Sequence, residues 1–109
     1  MEMQSEFLRG SLDTIVLGFL REKDSYGYEI CRKAKERCHG EYELKETSLY
    51  GTFHRLESHG WIESYWGSES QGGRRKYYRI TEAGIEVYHQ NLINWEFAKR
   101  IIDTLLSGE

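Results

Sequence analysis

The chain has 109 residues, of which 30% are charged, and a formal net charge of −3. This length predicts one small domain with a limited core, for which oligomerisation is a reasonable way to bury more apolar surface. No run of about 18 apolar residues is present, so we expect no transmembrane helix, and the acidic, polar N-terminus is unlike a signal peptide.

We expect both cysteines to be reduced thiols. Cys31 and Cys38 lie two turns apart in a predicted helix, roughly 10 Å at 1.5 Å per residue, which is too far for a disulfide between them. Without a secretion signal, we expect cytosolic thiols and a cytoplasmic location. A lone Cys38–His39 pair lacks the repeated ligand spacing of a zinc site, so we expect neither a metal nor another cofactor.

The N-terminal part of the chain predicts two amphipathic helices. Helix one extends over residues 5–21, where apolar residues recur at helical spacing. Helix two extends over residues 26–38, with Ser25 as its N-cap and Gly40 after its end. The core face of helix one consists of Leu8, Leu12, Ile15, Val16, Phe19 and Leu20.

A short strand and a third helix follow. The strand is predicted at residues 41–45, because apolar and charged residues alternate there. Helix three extends over residues 47–59, with Thr47 or Ser48 as its cap. Its inward residues are Leu49, Phe53 and Leu56. Its outward face is small, polar and slightly basic, and consists of Ser48, Tyr50, Gly51, His54, Arg55 and Ser58.

A predicted hairpin carries much of the positive charge. Its strands lie at residues 61–66 and 75–80, and a glycine-rich turn joins them. Residues 47–80 contain five basic and three acidic residues, although the chain as a whole is acidic. Gly72 and Gly73 let the turn approach a partner closely. The cations that follow them are Arg74, Arg75, Lys76 and Arg79.

The last predicted helix extends over residues 81–106, with Thr81 as its N-cap. At 1.5 Å per residue it is roughly 38 Å long, longer than a domain of this size covers. One apolar stripe contains Tyr88, Leu92, Trp95, Ile102 and Leu106, and another contains Ile93, Phe97, Ile101 and Leu105. A helix that is apolar on two sides must be covered on two sides. We therefore expect a homodimer held by this helix, with helix one beside it.

This order of elements predicts a mainly α fold with a small β-hairpin, a winged helix-turn-helix followed by a long C-terminal dimerisation helix. We divide the chain into a DNA-binding domain at residues 1–80 and a dimerisation helix at residues 81–109. In this arrangement the third helix enters the DNA major groove, and the hairpin at residues 61–80, called the wing, flanks it. Arg74 and Arg75 are predicted to neutralise phosphates or to enter the minor groove, whereas Arg79 is predicted to pair with an acid inside the domain.

Two residues of helix three each allow two interpretations. Gly51 costs about 1 kcal/mol relative to alanine; either it permits close approach to DNA, or it is merely tolerated. Tyr50 either lines the rim of the core or donates a hydrogen bond to a phosphate. A basic hairpin alone is often a solvated surface, and it is the combined pattern that favours DNA binding.

Three stretches resemble the PadR family of transcriptional regulators: DSYGYEI at residues 24–30, LKETSLYGTFHRLESHGWI at residues 44–62, and SQGGRRKYYRITEAG at residues 70–84. With the flanking helices they cover nearly the whole chain. The resemblance implies a dimeric winged-helix repressor whose operator is an inverted repeat in double-stranded DNA. It also implies DNA contacts from helix three and the wing, which correspond here to Ser48, Tyr50, His54, Arg55, Gly73, Arg74, Arg75 and Lys76.

The stretch WGSESQGGRRKYYRITEAG and a tryptophan in the last helix look most like the LmrR-type multidrug-responsive subgroup. This resemblance implies that flat aromatic molecules enter a pore at the dimer interface and stack on Trp95. Residues whose spacing suits the same pore are Phe7, Gly10, Asp13, Thr14, Gly18, Leu92, Glu96 and Lys99. Leu92 is aliphatic and Lys99 is cationic, and both depart from the subgroup's pattern. Trp95 therefore has two interpretations, a stacking platform or an anchor in the dimer core.

Other classes of function have less support. The histidines are not associated with a nucleophile motif or a metal-ligand pair, and GGRRK lacks the ending of a P-loop, so we expect no enzyme. The main alternative is a winged-helix protein-interaction module without DNA binding. That alternative predicts loss of the wing cations and an apolar face on helix three. A pure dimerisation scaffold would leave the basic wing unexplained.

Overall fold

A computed structural model describes residues 10–68 and 74–108. In chain order, the elements within them are α1 (Leu12–Glu22), α2 (Gly27–Arg37), α3 (Glu46–Ser58), β1 (Ile62–Trp66), β2 (Lys76–Ile80) and α4 (Glu82–Ser107). The strands pair antiparallel, with Ile62 opposite Ile80 and Trp66 opposite Lys76. This architecture confirms the predicted class, which is mainly α with a small hairpin in winged-helix order.

The core lies where α1, α3 and the hairpin meet. Phe53 of α3 stacks on Tyr78 of β2, with ring centroids 4.0 Å apart. Around this pair the core contains Leu12, Val16, Leu17, Phe19, Leu20, Ile30, Leu44, Leu49, Leu56 and Ile62. The inward face predicted for α3 is confirmed. The prediction for α1 missed Leu17, because α1 contacts α3, β2 and α4 and so buries more than one stripe; Leu8 lies outside the described residues.

The strand predicted at residues 41–45 is wrong, because that segment has no strand structure. Leu44 is buried in the core and Tyr42 packs against it, so burial rather than pairing explains the alternation. The hairpin instead gains a bridge to Ser25, which precedes α2. Ser25 donates its backbone N–H to the Tyr78 carbonyl at 3.2 Å and accepts from the Tyr78 N–H at 2.8 Å.

Two predicted helix caps are also wrong. Tyr26, not Ser25, occupies the N-cap position of α2, and the Ser25 hydroxyl donates to Glu29 Oε1 at 2.5 Å. The bridge between Ser25 and the hairpin fixes its backbone outside the helix. In α3 the N-cap position is Lys45, without a side-chain cap, because the helix begins one residue earlier than predicted. Thr47 and Ser48 therefore lie within its first turn.

Predicted signals at other helix ends are confirmed. Gly40 follows α2 with φ +79°, and its N–H donates to the Lys35 carbonyl at 2.8 Å. Thr81 caps α4, since its hydroxyl oxygen accepts from the Gly84 N–H at 3.1 Å.

The first turns of α4 pack closely on the domain through glycine. A Cβ at Gly84 would lie 2.1 Å from the Trp61 carbonyl oxygen, and a Cβ at Gly18 of α1 would lie 3.2 Å from the Tyr88 ring. Farther along α4, large apolar side chains face solvent: Ile93, Trp95, Phe97, Ile102, Leu105 and Leu106. The described residues of one chain therefore leave much of the apolar surface of α4 exposed.

Candidate nucleic-acid interface

The exposed face of α3 is centred on small and polar residues. The helix buries Leu49, Thr52, Phe53 and Leu56. At roughly 100° per residue, the opposite side is centred on Thr47, Gly51, His54 and Ser58, all of which are exposed. His54 thus lies near the centre, as a DNA-contacting residue would. The other predicted contacts lie on exposed flanks, Tyr50 on one side and Ser48 and Arg55 on the other. Sequence reasoning treated Thr47 as a cap and missed its place at the centre.

Gly51 lies in the middle of this face, and the described residues pack nothing against it. A Cβ built on Gly51 meets no atom within 4 Å, in contrast to Gly84, where a side chain would collide with backbone. Glycine in a helix interior nevertheless costs about 1 kcal/mol relative to alanine. The described neighbours of Gly51 therefore give no steric reason for glycine there.

Arg55 is held by an acid from another helix. Its guanidinium donates from Nε to Asp13 Oδ2 at 3.4 Å and from Nη2 to Asp13 Oδ1. This hydrogen bonding raises the pKa of Arg55, which keeps the side chain charged. Sequence reasoning assigned Arg55 to DNA and Asp13 to a ligand pore. The structure brings the two residues together and links α3 to the first turn of α1.

The cations of the wing are exposed beside aromatic rings. Arg74, Arg75 and Lys76 are all exposed, whereas Gly73 lies outside the described residues. The Arg75 guanidinium lies 4.7 Å from the centroid of the Tyr26 ring, and that of Arg74 lies 5.8 Å from the centroid of Trp66. Cation–π contacts of this kind orient a side chain but leave its charge accessible to solvent.

The prediction that Arg79 pairs with an acid is confirmed. Arg79 Nη2 lies 2.7 Å from Glu63 Oε1 on the neighbouring strand. Its guanidinium also lies 5.2 Å from the centroid of the Tyr65 ring. Arg79 is therefore engaged within the sheet, and the cations left for a partner are those nearer the tip of the wing.

Tyrosines connect the wing to the start of α2, a feature that sequence reasoning missed. The Tyr77 ring stacks near Tyr65, with centroids 5.7 Å apart, and meets Tyr26 edge-on at 5.2 Å. The Tyr65 hydroxyl donates to Asp24 Oδ2 at 2.5 Å, and this hydrogen bond raises the pKa of Tyr65. The high density of tyrosine in the sequence is a signal for such a cluster, but it does not indicate which rings meet.

Most of the predicted ligand residues lie along two grooves beside α4, whereas Glu96 and Lys99 line a third groove of about 730 Å³ on the same helix. A groove of about 520 Å³ between α1, α2 and α4 includes Thr14, Gly18, Leu92 and Trp95. A second groove of about 420 Å³ includes Gly10, Asp13, Thr14 and Trp95. Trp95 lies at both grooves, and Lys99 Nζ covers its ring at 4.5 Å from the centroid. Glu96 pairs with Lys99 at 3.4 Å, and Phe7 lies outside the described residues.

Other kinds of site have little basis in the described part of the chain. Burial raises the pKa of the Cys31 thiol to about 11, so this group stays protonated at neutral pH. In residues 10–68 and 74–108, no three His, Cys, Asp or Glu side chains are grouped so that they could hold a metal ion. The helices described there include none that is both long and apolar enough to cross a membrane.

Comparison with known proteins gives consistent matches. The model of the transcriptional regulator PadR-like family matches residues 16–90, and a protein from Lysinibacillus sphaericus is 42% identical over 106 residues, which cover 97% of each chain. The chain is similar to a transcriptional regulator from Clostridium thermocellum, with 46% identity and a TM-score of 0.84 over 91% of this chain and 96% of that one. It is also similar to Bacillus subtilis PadR in complex with operator DNA, with 27% identity and a TM-score of 0.68 over 75% of this chain and 45% of that one. On these matches, the chain belongs to the PadR-like family of transcriptional regulators.

Proposed function

We propose that this regulator is a cytoplasmic homodimer that binds an inverted-repeat operator and represses transcription. The observation that carries the proposal is the combination of an exposed, polar α3 face with exposed arginines on the adjacent wing. The solved complex of Bacillus subtilis PadR with operator DNA supports the same use of this fold. Residues 1–80 would form the DNA-binding unit and residues 81–109 the dimerisation helix.

The distribution of charge favours DNA over a protein partner. Arg74, Arg75 and Lys76 are exposed, so their charges remain available to phosphates even though the chain as a whole is acidic. Phosphate contacts depend on the local field of the protein and not on its net charge. The face of α3 is polar, whereas a protein-interaction module would present apolar residues there. We assign the DNA contacts to α3 and the wing, namely to Ser48, Tyr50, His54, Arg55, Gly73, Arg74, Arg75 and Lys76.

A dimer supplies the second recognition helix that an inverted repeat requires. Two half-sites are read when the recognition helices are about 34 Å apart, one turn of DNA. The exposed apolar residues of α4 include Ile93, Phe97 and Leu105, and a second chain would remove them from water. Helix α1, which already packs on α4 within the chain, would lie beside this interface.

The test is fluorescence anisotropy of a labelled duplex taken from upstream of the protein's own gene. Arg74→Ala/Arg75→Ala is expected to weaken binding at least about tenfold at low salt, and to make the slope of log K against log salt shallower by about two, because two phosphate contacts are lost. A scrambled duplex measures the sequence-independent part of binding.

A matched control removes two exposed cations elsewhere. Arg21→Ala/Lys35→Ala changes the net charge equally, but alters α1 and α2, so its salt slope should stay near that of the wild type. If the wild type and both double variants bind the two duplexes equally weakly, DNA reading by this chain is refuted. The protein-interaction module then becomes the better description.

The response to a small molecule is the further part of the proposal. We infer that a flat aromatic effector, as in LmrR-type regulators, would stack on Trp95, which is about half exposed at the junction of two grooves. Such a ligand would act through unequal affinity for the DNA-competent and incompetent states. In a Trp61→Phe/Trp66→Phe background, saturable quenching of Trp95 by a planar aromatic dye, with weaker operator binding, is the expected result. Quenching that does not saturate would leave Trp95 as an anchor of the dimer core.

A further inference from the structure

The ion pair between Asp13 and Arg55 spans two helices with different tasks in the proposed regulator. Asp13 lies in the first turn of α1, and Arg55 lies on the flank of the exposed face of α3. Two guanidinium nitrogens of Arg55 are directed at the two carboxylate oxygens of Asp13. This two-point contact occupies the Nε/Nη2 edge of the guanidinium, which is one of the edges with which arginine binds a phosphate.

Arg55 is the main source of positive charge on α3. Within Glu46–Ser58 it is the one lysine or arginine, and the same helix contains two acids, Glu46 and Glu57. When Asp13 neutralises Arg55, the helix therefore presents no unpaired guanidinium or ammonium to the negatively charged duplex. The positive charge of Arg55 becomes fully available to phosphates only when its guanidinium separates from the Asp13 carboxylate.

The pair is accessible enough to exchange partners. The side chain of Arg55 is 49% exposed and that of Asp13 is 27% exposed. Ion pairs at this degree of exposure contribute little to stability, because water and salt screen them. A duplex presents a dense row of phosphates, each a good bidentate acceptor for a guanidinium.

We propose that Asp13 competes with DNA phosphates for Arg55 and so acts as a built-in restraint on DNA binding. The inference rests on the proposed DNA-binding function. In free protein Arg55 is paired with Asp13, and on binding it exchanges the carboxylate for a phosphate oxygen. Asp13 acts through Arg55 and does not itself contact DNA.

The test measures anisotropy with the upstream duplex and a scrambled duplex for the full-length wild type, Asp13→Asn, Arg55→Gln and the double variant. Asp13→Asn keeps the shape of the side chain but removes its charge, and is expected to tighten binding to both duplexes roughly threefold or more, because phosphate contacts are independent of sequence. The gain should disappear in the Arg55→Gln background, and thermal melts confirm that each variant is folded.

Glu22→Gln is the matched control. Glu22 also lies in α1 and pairs with an arginine of a neighbouring helix, Arg37 of α2, so its replacement changes net charge equally without touching α3. The proposal is overturned if Asp13→Asn binds no tighter than Glu22→Gln, or if its gain persists without Arg55. It is also overturned if Asp13→Asn weakens binding, because the ion pair would then stabilise α3 in the position that DNA binding requires. Absence of wild-type binding to either duplex would refute the DNA-binding function as well, so the two failures are distinguishable.

Discussion

Gly51 and Gly84 are both helical glycines, but they differ in how closely other atoms approach them. Gly84 is buried against the Trp61 carbonyl, where any side chain would collide with backbone. Gly51 faces open space at the centre of the exposed side of α3. Close packing within the chain therefore explains Gly84. For Gly51, a steric reason must come from a surface outside the described part of the chain.

Gly51→Ala should separate stability from DNA binding. Alanine should raise the free energy of unfolding by roughly 0.5–1 kcal/mol, because it restricts the unfolded chain and favours the helix. If DNA approaches the backbone of α3 at this point, the added methyl group should weaken operator binding about fivefold or more, which corresponds to roughly 1 kcal/mol. Urea unfolding and anisotropy measure the two effects.

Ser58→Ala is the control for this experiment, since it changes a small side chain at the end of the same exposed face without adding bulk. A stabilised Gly51→Ala protein with unchanged operator affinity would show that the glycine is merely tolerated.

At the level of elements, Thr81 fixes the beginning of α4 to the end of α3. Its hydroxyl oxygen accepts from the Gly84 N–H at 3.1 Å, and the same hydroxyl donates to the Gly60 carbonyl at 2.8 Å. The Thr81 backbone N–H also donates to the Trp61 carbonyl at 3.0 Å. One residue thus caps the long helix and sets its position relative to α3.

Thr81→Ala should lower the free energy of unfolding by about 1–2 kcal/mol, because both hydroxyl hydrogen bonds are lost at a helix start. Thr81→Ser keeps the hydroxyl and should recover most of that loss. Urea denaturation of the three proteins at one protein concentration provides the measurement. If alanine and serine variants unfold at the same denaturant concentration, the cap contributes little.

For the whole molecule, the main feature is the apolar surface of α4, which remains exposed to solvent within residues 10–68 and 74–108 of one chain. Leu105 and Leu106 are 74% and 83% exposed, and Ile93, Phe97 and Ile102 add to the same helix. Exposed apolar patches that are large and contiguous commonly mark contact surfaces. In the proposed dimer, covering them would also fix the separation of the two copies of α3, so that assembly and the proposed DNA recognition would depend on the same element.

Phe97→Glu should shift the assembly toward monomer. The wild type is expected to sediment at twice the mass of the chain, and burying a charge at the interface should raise the dimer dissociation constant at least about tenfold. Gln90→Glu adds the same charge at an exposed polar position of α4 and should leave the dimer intact. A monomeric wild type at micromolar concentration would contradict the dimer proposal.

Much of the fold could be predicted because local sequence patterns, such as apolar spacing and helix caps, indicate the helices and their buried sides. The spacing of Leu49, Phe53 and Leu56 predicted the buried side of α3, and Thr81 marked the start of α4. The missed features depend on segments distant in sequence. The bridge between Ser25 and Tyr78, and the wider burial of α1, arise only when the hairpin and α4 pack against the N-terminal helices.

The sequence by itself determined the winged-helix order, the basic wing and the surplus apolar surface of α4, since periodicity and charge are properties of the chain. Only the tertiary structure decided which acid each paired arginine meets, and that Arg55 is paired at all. Folding pairs Arg79 with Glu63 and Arg55 with Asp13, but leaves Arg74 and Arg75 exposed beside aromatic rings. The reason is that an ion pair requires two side chains to meet in space, and residues 42 positions apart meet only after their helices pack.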